Sequence, residues 1–254
     1  MRAAIVYKPD SFGVAEDVRK FLESMGVEAE ICEQSRELES YDFIVSVGGD
    51  GTILRTLQML DHCPPIFAVN TGKVGLLTHA DPENFKDLLG KSVENMDVEE
   101  FMRIECFANE RLIALNEIAL LTAVPARLVE MTISVDGVEI ERMRGDGLLI
   151  STPIGSTAYA LSTGGPIIDP YMACMLVVPV APFKLGWKPW VVGADREVVV
   201  SIHNRPCLAI ADGHKMVEVQ PESKIVVRKS PYPARFFRIE DRIRRIAEML
   251  KKMD

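Results

Sequence analysis

The sequence predicts an α/β amino-terminal domain with a parallel sheet, followed by a β-rich, mostly antiparallel domain. Three observations predict it. Short apolar runs alternate with amphipathic stretches over roughly the first ninety residues. From about Met96 the apolar pattern changes to period two, punctuated by turn residues. A glycine-rich turn, Gly48-Gly49-Asp50-Gly51-Thr52, links an apolar run to an amphipathic one. Strand–helix alternation implies parallel pairing with both sheet faces covered, and period two implies strands half-buried in antiparallel sheets.

The elements follow in order. Ala3 to Tyr7 is a short apolar strand. Val14 to Met25 places Val14, Val18, Phe21, Leu22 and Met25 at helical spacing, and Gly26 stops that helix as a C-cap. Val27 to Cys32, Phe43 to Val47 and Ile66 to Val69 read as further strands, with a helix from about Thr52 to Asp61. Later, Leu128 to Val135 and Val138 to Met143 alternate around Asp136-Gly137, a strong hairpin signal. Leu148 to Ser151, Glu197 to His203, Cys207 to Ala211, Lys215 to Val219 and Lys224 to Arg228 are short strands. Arg238 to Asp254 reads as one amphipathic helix with Ile239, Ile243, Ile246 and Leu250 on one stripe. Its acids come early (Glu240, Asp241) and its bases late (Lys251, Lys252), matching the helix dipole, and its positive run reads as a solvated face. The expected domains are 1–95 with about 236–254 packing back on it, and 96–235.

Composition narrows the function classes. At 254 residues and 48% hydrophobic, the chain can bury a core for one large or two small domains. A net charge of −8 argues against a nonspecific nucleic-acid binder. No apolar run has the length of a membrane span, and Ala3 to Tyr7 is too short for a secretory core. The five cysteines are scattered and form no CxxC pair, so neither a metal staple nor a disulfide framework is expected; a reducing cytoplasm is.

Glycines at a strand–helix turn let backbone N–H groups approach a phosphate, and the helix start adds unpaired donors and a partial positive charge. Asp50 in the middle of that turn repels phosphate, so it needs another purpose: taking a proton from a hydroxyl, or helping to hold a metal. The bland alternative is an N-cap. The turn lacks the lysine of a Walker loop, and Leu54 stands where a dinucleotide fingerprint has its third glycine. A second glycine turn, Asn70-Thr71-Gly72-Lys73-Val74-Gly75, ends another strand on the same predicted rim, where open α/β sheets bind ligands.

A second dense cluster runs from Arg144 to Pro166. Ser156, Thr157, Tyr159 and Ser162 offer hydroxyls suited to ribose and phosphate oxygens, and a Ser/Thr cap alone leaves Arg144, Asp146 and Gly164-Gly165 unexplained. Asn116-Glu117, between two apolar runs, suits a base edge and a sugar hydroxyl, although such a pair taken alone is more often a surface loop or turn. Asp212-Gly213 reads as a turn.

Taken together, Gly-Gly-Asp-Gly-Thr at 48–52, Asn-Glu at 116–117, the block from Gly145 to Pro166 with Ser-Thr-Pro-Ile-Gly-Ser-Thr-Ala-Tyr at its centre, and Asp212-Gly213 resemble the NAD kinase family in kind and in order. The resemblance implies transfer of the γ-phosphoryl of ATP, or of polyphosphate in some members, to the 2′-hydroxyl of the adenosine ribose of NAD, giving NADP. It implies a divalent cation, Mg²⁺ or Mn²⁺, held mainly by nucleotide phosphates rather than by a protein metal site, and a homodimer or homotetramer. By the same resemblance Asp50 is the general base. Gly48, Gly49 and Gly51 face nucleotide phosphate, and Arg55 pairs with it. Asn116 and Glu117 hold the adenosine half. Arg144 and Asp146 contact the nicotinamide half, as residues that a neighbouring subunit can supply. Thr157, Ala158, Tyr159, Ala160, Leu161 and Ser162 match a dinucleotide-contacting helix start, Arg127 and Ala181 match by spacing, and His214 lies near a contact position. Ile154 and Ala181-Pro182-Phe183 depart from the family pattern and bear on substrate detail. Two rivals stand beside it. The double-glycine motif also occurs in diacylglycerol and sphingosine kinases and, in related form, phosphofructokinases; a lipid kinase would need an apolar cleft for acyl chains. A catalytically silent NAD(P)-binding sensor would have no use for an intact Asp50.

Overall fold

The computed structural model describes residues 1–73, 75–184, 186–239 and 242–252. The chain divides into two compact units, Met1–Glu100 with the segment from Tyr232, and Phe101–Pro231. In chain order the first unit contributes β1 (Arg2–Tyr7), α1 (Phe12–Ser24), β2 (Glu28–Ile31), β3 (Phe43–Gly48), α2 (Asp50–Gln58), β4 (Ile66–Asn70), α3 (Phe85–Asn95) and β5 (Val98–Phe101). The second contributes β6 (Ile104–Phe107), β7 (Arg111–Ala114), β8 (Glu117–Thr122), β9 (Val129–Val135), β10 (Val138–Gly145), β11 (Gly147–Ser151), α4 (Tyr159–Ser162), β12 (Cys174–Val180), β13 (Trp190–Gly193), β14 (Val198–Ile202), β15 (Cys207–Ala211), β16 (Lys215–Val219) and β17 (Lys224–Lys229). The chain then returns to the first unit with β18 (Ala234–Phe237) and α5 (Arg242–Lys252).

The first unit is built on a six-stranded sheet of order β2-β1-β3-β4-β18-β5, in which β1, β2, β3, β4 and β18 pair in parallel. β3 is buried along its whole length, as a central parallel strand must be. Its Phe43, Val45 and Val47 join Ala15, Val18 and Leu22 of α1 and Phe85, Leu89 and Val93 of α3 in one apolar cluster. Each such fully buried side chain contributes about 1.5–3 kcal/mol. Gly26, at φ +79°, closes α1 with a left-handed residue that only glycine adopts freely.

The second unit stacks two six-stranded antiparallel sheets, β10-β9-β14-β17-β6-β7 and β13-β12-β11-β8-β15-β16. Asp136 (φ +49°) and Gly137 (φ +80°) turn the β9–β10 hairpin with the left-handed backbone expected of an Asp-Gly pair. β11 lies between β8 and β12 and is buried throughout. Its Leu148 and Ile150 enter the main core of the unit, while Leu149 packs with Leu176, Val178 and the α4 residue Ala160 on the other face.

Four sequence expectations change. The helix after β3 begins at Asp50 and ends at Gln58, two residues earlier at its start and three earlier at its end than expected, because the glycine turn is tight enough to start it at once. The strand β18 has no counterpart in the sequence reading: four residues of which three are apolar carry too little periodicity to register, and only the neighbours β4 and β5 make a strand of them. The final helix starts at Arg242, so Arg238 and Ile239 precede it; Glu240, Asp241 and Asp254 lie outside the described residues. Its stripe also differs. Ile246 is buried but Ile243 is 53% exposed, and the positive run is solvated only in part: Arg244 and Lys251 are exposed, whereas Arg242 is buried and Arg245 half-buried. The inward face is made of Arg242, Arg245 and Ile246, because a carboxylate and several carbonyls await the guanidinium groups.

Candidate functional site

In the first unit a candidate site lies where the parallel strands end. Gly48 pairs with Asn70 at the carboxyl ends of β3 and β4, and the Thr71 N–H donates to Gly48 O at 3.2 Å. A Cβ on Gly48 would come within 2.2 Å of Thr52 Oγ1, so helix α2 can fold back on the strand only past a glycine. Gly49 is the N-cap, in an extended backbone, and nothing lies within 4 Å of where its Cβ would be. Its flank is therefore open, the geometry that lets an anion reach the first N–H groups of α2.

Asp50 is the first residue of α2 and caps nothing. Its carboxylate turns instead to the loop after β4. Leu76 N–H donates to Oδ2 at 2.9 Å and Leu77 N–H donates to Oδ1 at 3.1 Å. Burial raises its proton affinity above that of a free aspartate, while those amides and the charges of Arg245 and Arg242 oppose the rise. A half-buried carboxylate with both oxygens oriented, and more basic than an exposed one, is fit to accept a proton from a hydroxyl. Gly51 follows in the first turn, and Arg55 stands exposed in the last turn of the same helix.

In the second unit a separate cluster is built from three segments distant in sequence. Asn116 and Glu117 enter β8, and they are held by a carboxylate the sequence reading took for a simple turn residue. Asp212 accepts the N–H groups of Leu115 (2.8 Å), Asn116 (2.7 Å) and Glu117 (3.2 Å). It does form the expected turn with Gly213, at φ +47° and +70° between β15 and β16, but its side chain is 5% exposed. From the other side the hydroxyl-rich block closes on the same segment. Thr152 N–H donates to Asn116 O at 2.9 Å, and a Cβ on Gly155 would lie 2.1 Å from that oxygen. Glu117 is buried, and its Oε2 has no hydrogen-bond partner among the described residues. Burial first, then the Asp212 carboxylate, push the Glu117 carboxyl up to about 8, against one donor, the backbone N–H of Tyr159. Asp212, with three amide donors, rises by burial only to about 6.

The remaining residues singled out from sequence fall into separate groups. Ala158 and Tyr159 stand beside Glu117 through that backbone bond; Tyr159 is 38% exposed, Leu161 half-buried and Ser162 exposed. The Ala160 methyl is turned into the apolar cluster under α4, so only its backbone can meet a ligand. Thr157 donates its hydroxyl to Ile154 O at 3.3 Å, and the fully buried Ser156 hydroxyl is engaged by Ile168, so these two hydroxyls serve the local fold. Arg144 and Asp146 bracket the β10–β11 junction. The Arg144 guanidinium sits 5.9 Å from the Phe183 ring centroid, and Asp146 N–H donates to Val180 O at 3.0 Å, next to the exposed Ala181 at φ +44°. Arg127 is exposed, and its carbonyl accepts from the Thr122 hydroxyl at 2.6 Å. His214 is exposed beside the Asp212 turn. No group of three or more His, Cys, Asp or Glu among the described residues could hold a metal ion.

Asp212 and the arginines of α5 are the residues the sequence reading missed. An Asp-Gly turn explains itself locally, so nothing in the sequence asked for a second use of Asp212. The arginines carried no signal, since a charged helical run is most often solvated.

Known proteins resemble the chain in both sequence and fold. The ATP-NAD kinase N-terminal domain matches residues 9–97 and the ATP-NAD kinase C-terminal domain matches residues 115–239. The NAD kinase of Archaeoglobus fulgidus is 50% identical over 247 residues, covering 97% of each chain. That of Methanosarcina mazei is 39% identical over 223 residues, 86% of this chain and 77% of its own. The crystal structure of an NAD kinase from Archaeoglobus fulgidus in complex with ATP superposes with a TM-score of 0.93 at 47% identity, covering all of both chains. Yeast NADH kinase complexed with NADH shares the fold, with a TM-score of 0.89 at 21% identity, over all of this chain and 88% of that one. The chain belongs to the NAD kinase family.

Proposed function

We propose that this protein transfers the γ-phosphoryl group of ATP to the 2′-hydroxyl of the adenosine ribose of NAD, producing NADP. One observation carries the reading: an ionisable carboxylate, Asp50, oriented through both oxygens at the open glycine turn of a parallel sheet. In this reading Asp50 takes the proton of the attacking hydroxyl. The exposed N–H groups of the Gly48–Gly51 turn and the Arg55 guanidinium receive phosphate. Positioning does most of the catalysis, because phosphoryl transfer asks little covalent chemistry of the protein.

The second unit is proposed to hold the dinucleotide. Asn116 and Glu117 offer the amide and carboxyl for the adenosine half, with Thr157 to Ser162 beside them, and Arg144, Asp146, Arg127, Ala181 and His214 lie at its periphery. A protonated Glu117 would add a donor to that set. In this reading Mg²⁺ or Mn²⁺ arrives on the nucleotide phosphates, which offer the hard oxygen ligands such an ion takes. Such an ion would offset phosphate charge. The mostly antiparallel unit, with exposed Trp190 and Val191 on an edge strand, is the part we assign to association into a homodimer or homotetramer. Five free cysteines fit a reducing cytoplasm.

The test is direct. Purified protein is incubated with NAD and Mg²⁺, with ATP in one arm and polyphosphate in the other, and NADP is read by a coupled dehydrogenase. NADP in the ATP arm is expected; its absence from both arms rejects the reading.

A further inference from the structure

The two peptide groups that hold Asp50 are themselves held from behind. The Gly75–Leu76 peptide gives its N–H to Asp50 Oδ2 at 2.9 Å, and its carbonyl accepts from Arg245 Nη2 at 3.2 Å. The Leu76–Leu77 peptide gives its N–H to Asp50 Oδ1 at 3.1 Å, and its carbonyl accepts from Arg242 Nη1 at 3.4 Å. Each carboxylate oxygen thus meets an amide whose other end rests on a guanidinium, and both guanidiniums come from α5.

Neither arginine is loosely placed. Arg242 Nε and Nη2 both donate to Glu99 Oε1, in an ion pair whose side chains are 1% and 2% exposed. Arg245 also donates to Thr78 Oγ1 at 3.1 Å and to His79 O at 3.5 Å. Spaced three apart on the helix, the two share one face with the buried Ile246. Gly75 is required there as well, since a Cβ would lie 2.2 Å from Thr78 Oγ1.

A carbonyl that accepts a charge-assisted hydrogen bond polarises its peptide and makes the N–H a stronger donor. Arg242 and Arg245 act on Asp50 by that route and by direct attraction, both favouring the anion that burial disfavours. The other charged and titratable groups around the arginines are the exposed Asp81, the paired Glu99, and His79. His79 is neutral: its Nδ1 accepts from Ala68 N–H, its Nε2–H donates to Phe237 O, and burial pushes it down to about 3.

We propose that Arg242 and Arg245 are positioning residues of the phosphoryl transfer, fixing and polarising the two peptide groups that orient Asp50, so that the carboxyl-terminal helix forms part of the catalytic apparatus. The proposal rests on Asp50 being the base, and its test separates the two claims. The pH dependence of kcat at saturating NAD and ATP is measured for wild type, Asp50→Asn, Arg245→Gln and Arg245→Lys, with folding followed by circular dichroism. Arg245→Gln is expected to move the acidic limb of kcat to higher pH by about half a unit to one unit, with KM for NAD and ATP within about twofold. Arg245→Lys keeps the charge but not the fork, so its limb should fall between those of wild type and Arg245→Gln. An unmoved limb with a lower plateau in Arg245→Gln overturns the proposal. Should that variant not fold, the lysine variant decides alone: a displaced limb supports the proposal and a wild-type limb overturns it. Near-normal turnover in Asp50→Asn rejects the base itself, whereas a large loss there with an unmoved Arg245→Gln limb rejects only the positioning role.

Discussion

Asp212 and Glu117, whose carboxyl groups are both buried, are joined through one backbone hydrogen bond: Glu117 donates its N–H to Asp212 Oδ1 at 3.2 Å, yet keeps one side-chain oxygen without a partner among the described residues. The asymmetry separates their chemistry. Asp212 has three amide donors and acts as an anchor, whereas Glu117 keeps spare hydrogen-bonding capacity in a buried place.

The anchor can be tested by Asp212→Asn. With its amide oxygen in the place of Oδ1, the NH₂ group faces the Leu115 N–H, leaving two buried donors opposed. The expected cost is about 1–3 kcal/mol of stability. KM for NAD should rise more than KM for ATP, because Asn116 and Glu117 lose their fixed backbone. Equal changes in the two constants would argue against the anchor.

Glu117 makes stability depend on pH with a sign opposite to that of most carboxylates. Its folded carboxyl is raised to about 8, above an unfolded value near 4.5. Between those values the folded state holds a proton that the unfolded state has released. The stability of the native protein therefore falls as pH rises through that window, by up to about 1.4 kcal/mol per pH unit for one proton. Below the lower value both states are protonated and nothing is lost. Glu117→Gln removes the proton and the dependence with it. Melting temperatures at pH 5 and pH 8 should show the variant gaining on wild type at the higher pH. Parallel curves would show that Glu117 is ionised in the fold.

Two adjacent glycines should separate folding from phosphate access. Gly48→Ala forces a methyl onto Thr52, at 2.2 Å from Oγ1 and 2.9 Å from Cβ, and is expected to cost about 1–3 kcal/mol. Gly49→Ala meets nothing within 4 Å and has an ordinary extended backbone, so its melting temperature should stay near wild type. Its methyl nevertheless occupies the open flank of the turn, so kcat/KM for ATP should drop by at least about tenfold. A Gly49→Ala enzyme with unchanged kcat/KM for ATP would show that phosphate does not approach there.

Asp50→Asn keeps the size of the side chain and one acceptor oxygen while removing the base. NAD binding measured by calorimetry should persist, and kcat should fall by roughly 10²–10⁴, the scale of a lost general base.

How much of this was legible beforehand follows the range of the interactions. The strands and helices around Gly48-Gly49-Asp50-Gly51, the Asp136-Gly137 hairpin and the change from parallel to antiparallel pairing are local matters of periodicity and backbone freedom, and they could be read from the residues in order. So could the chemical type of the site, since a carboxylate among glycines at a strand end has few uses. What the chain order conceals are contacts closed over long separations. Asp212 lies 95 to 97 residues from the amides it binds, and Arg242 lies 143 residues from Glu99. β18 becomes a strand only between β4 and β5. A buried ion or carboxylate is stable only where the fold has gathered its partners, and sequence neighbours carry no trace of that. The sequence by itself therefore determined which residues could perform the chemistry; the tertiary structure decided which of them are held, by which distant groups, and with what affinity for a proton.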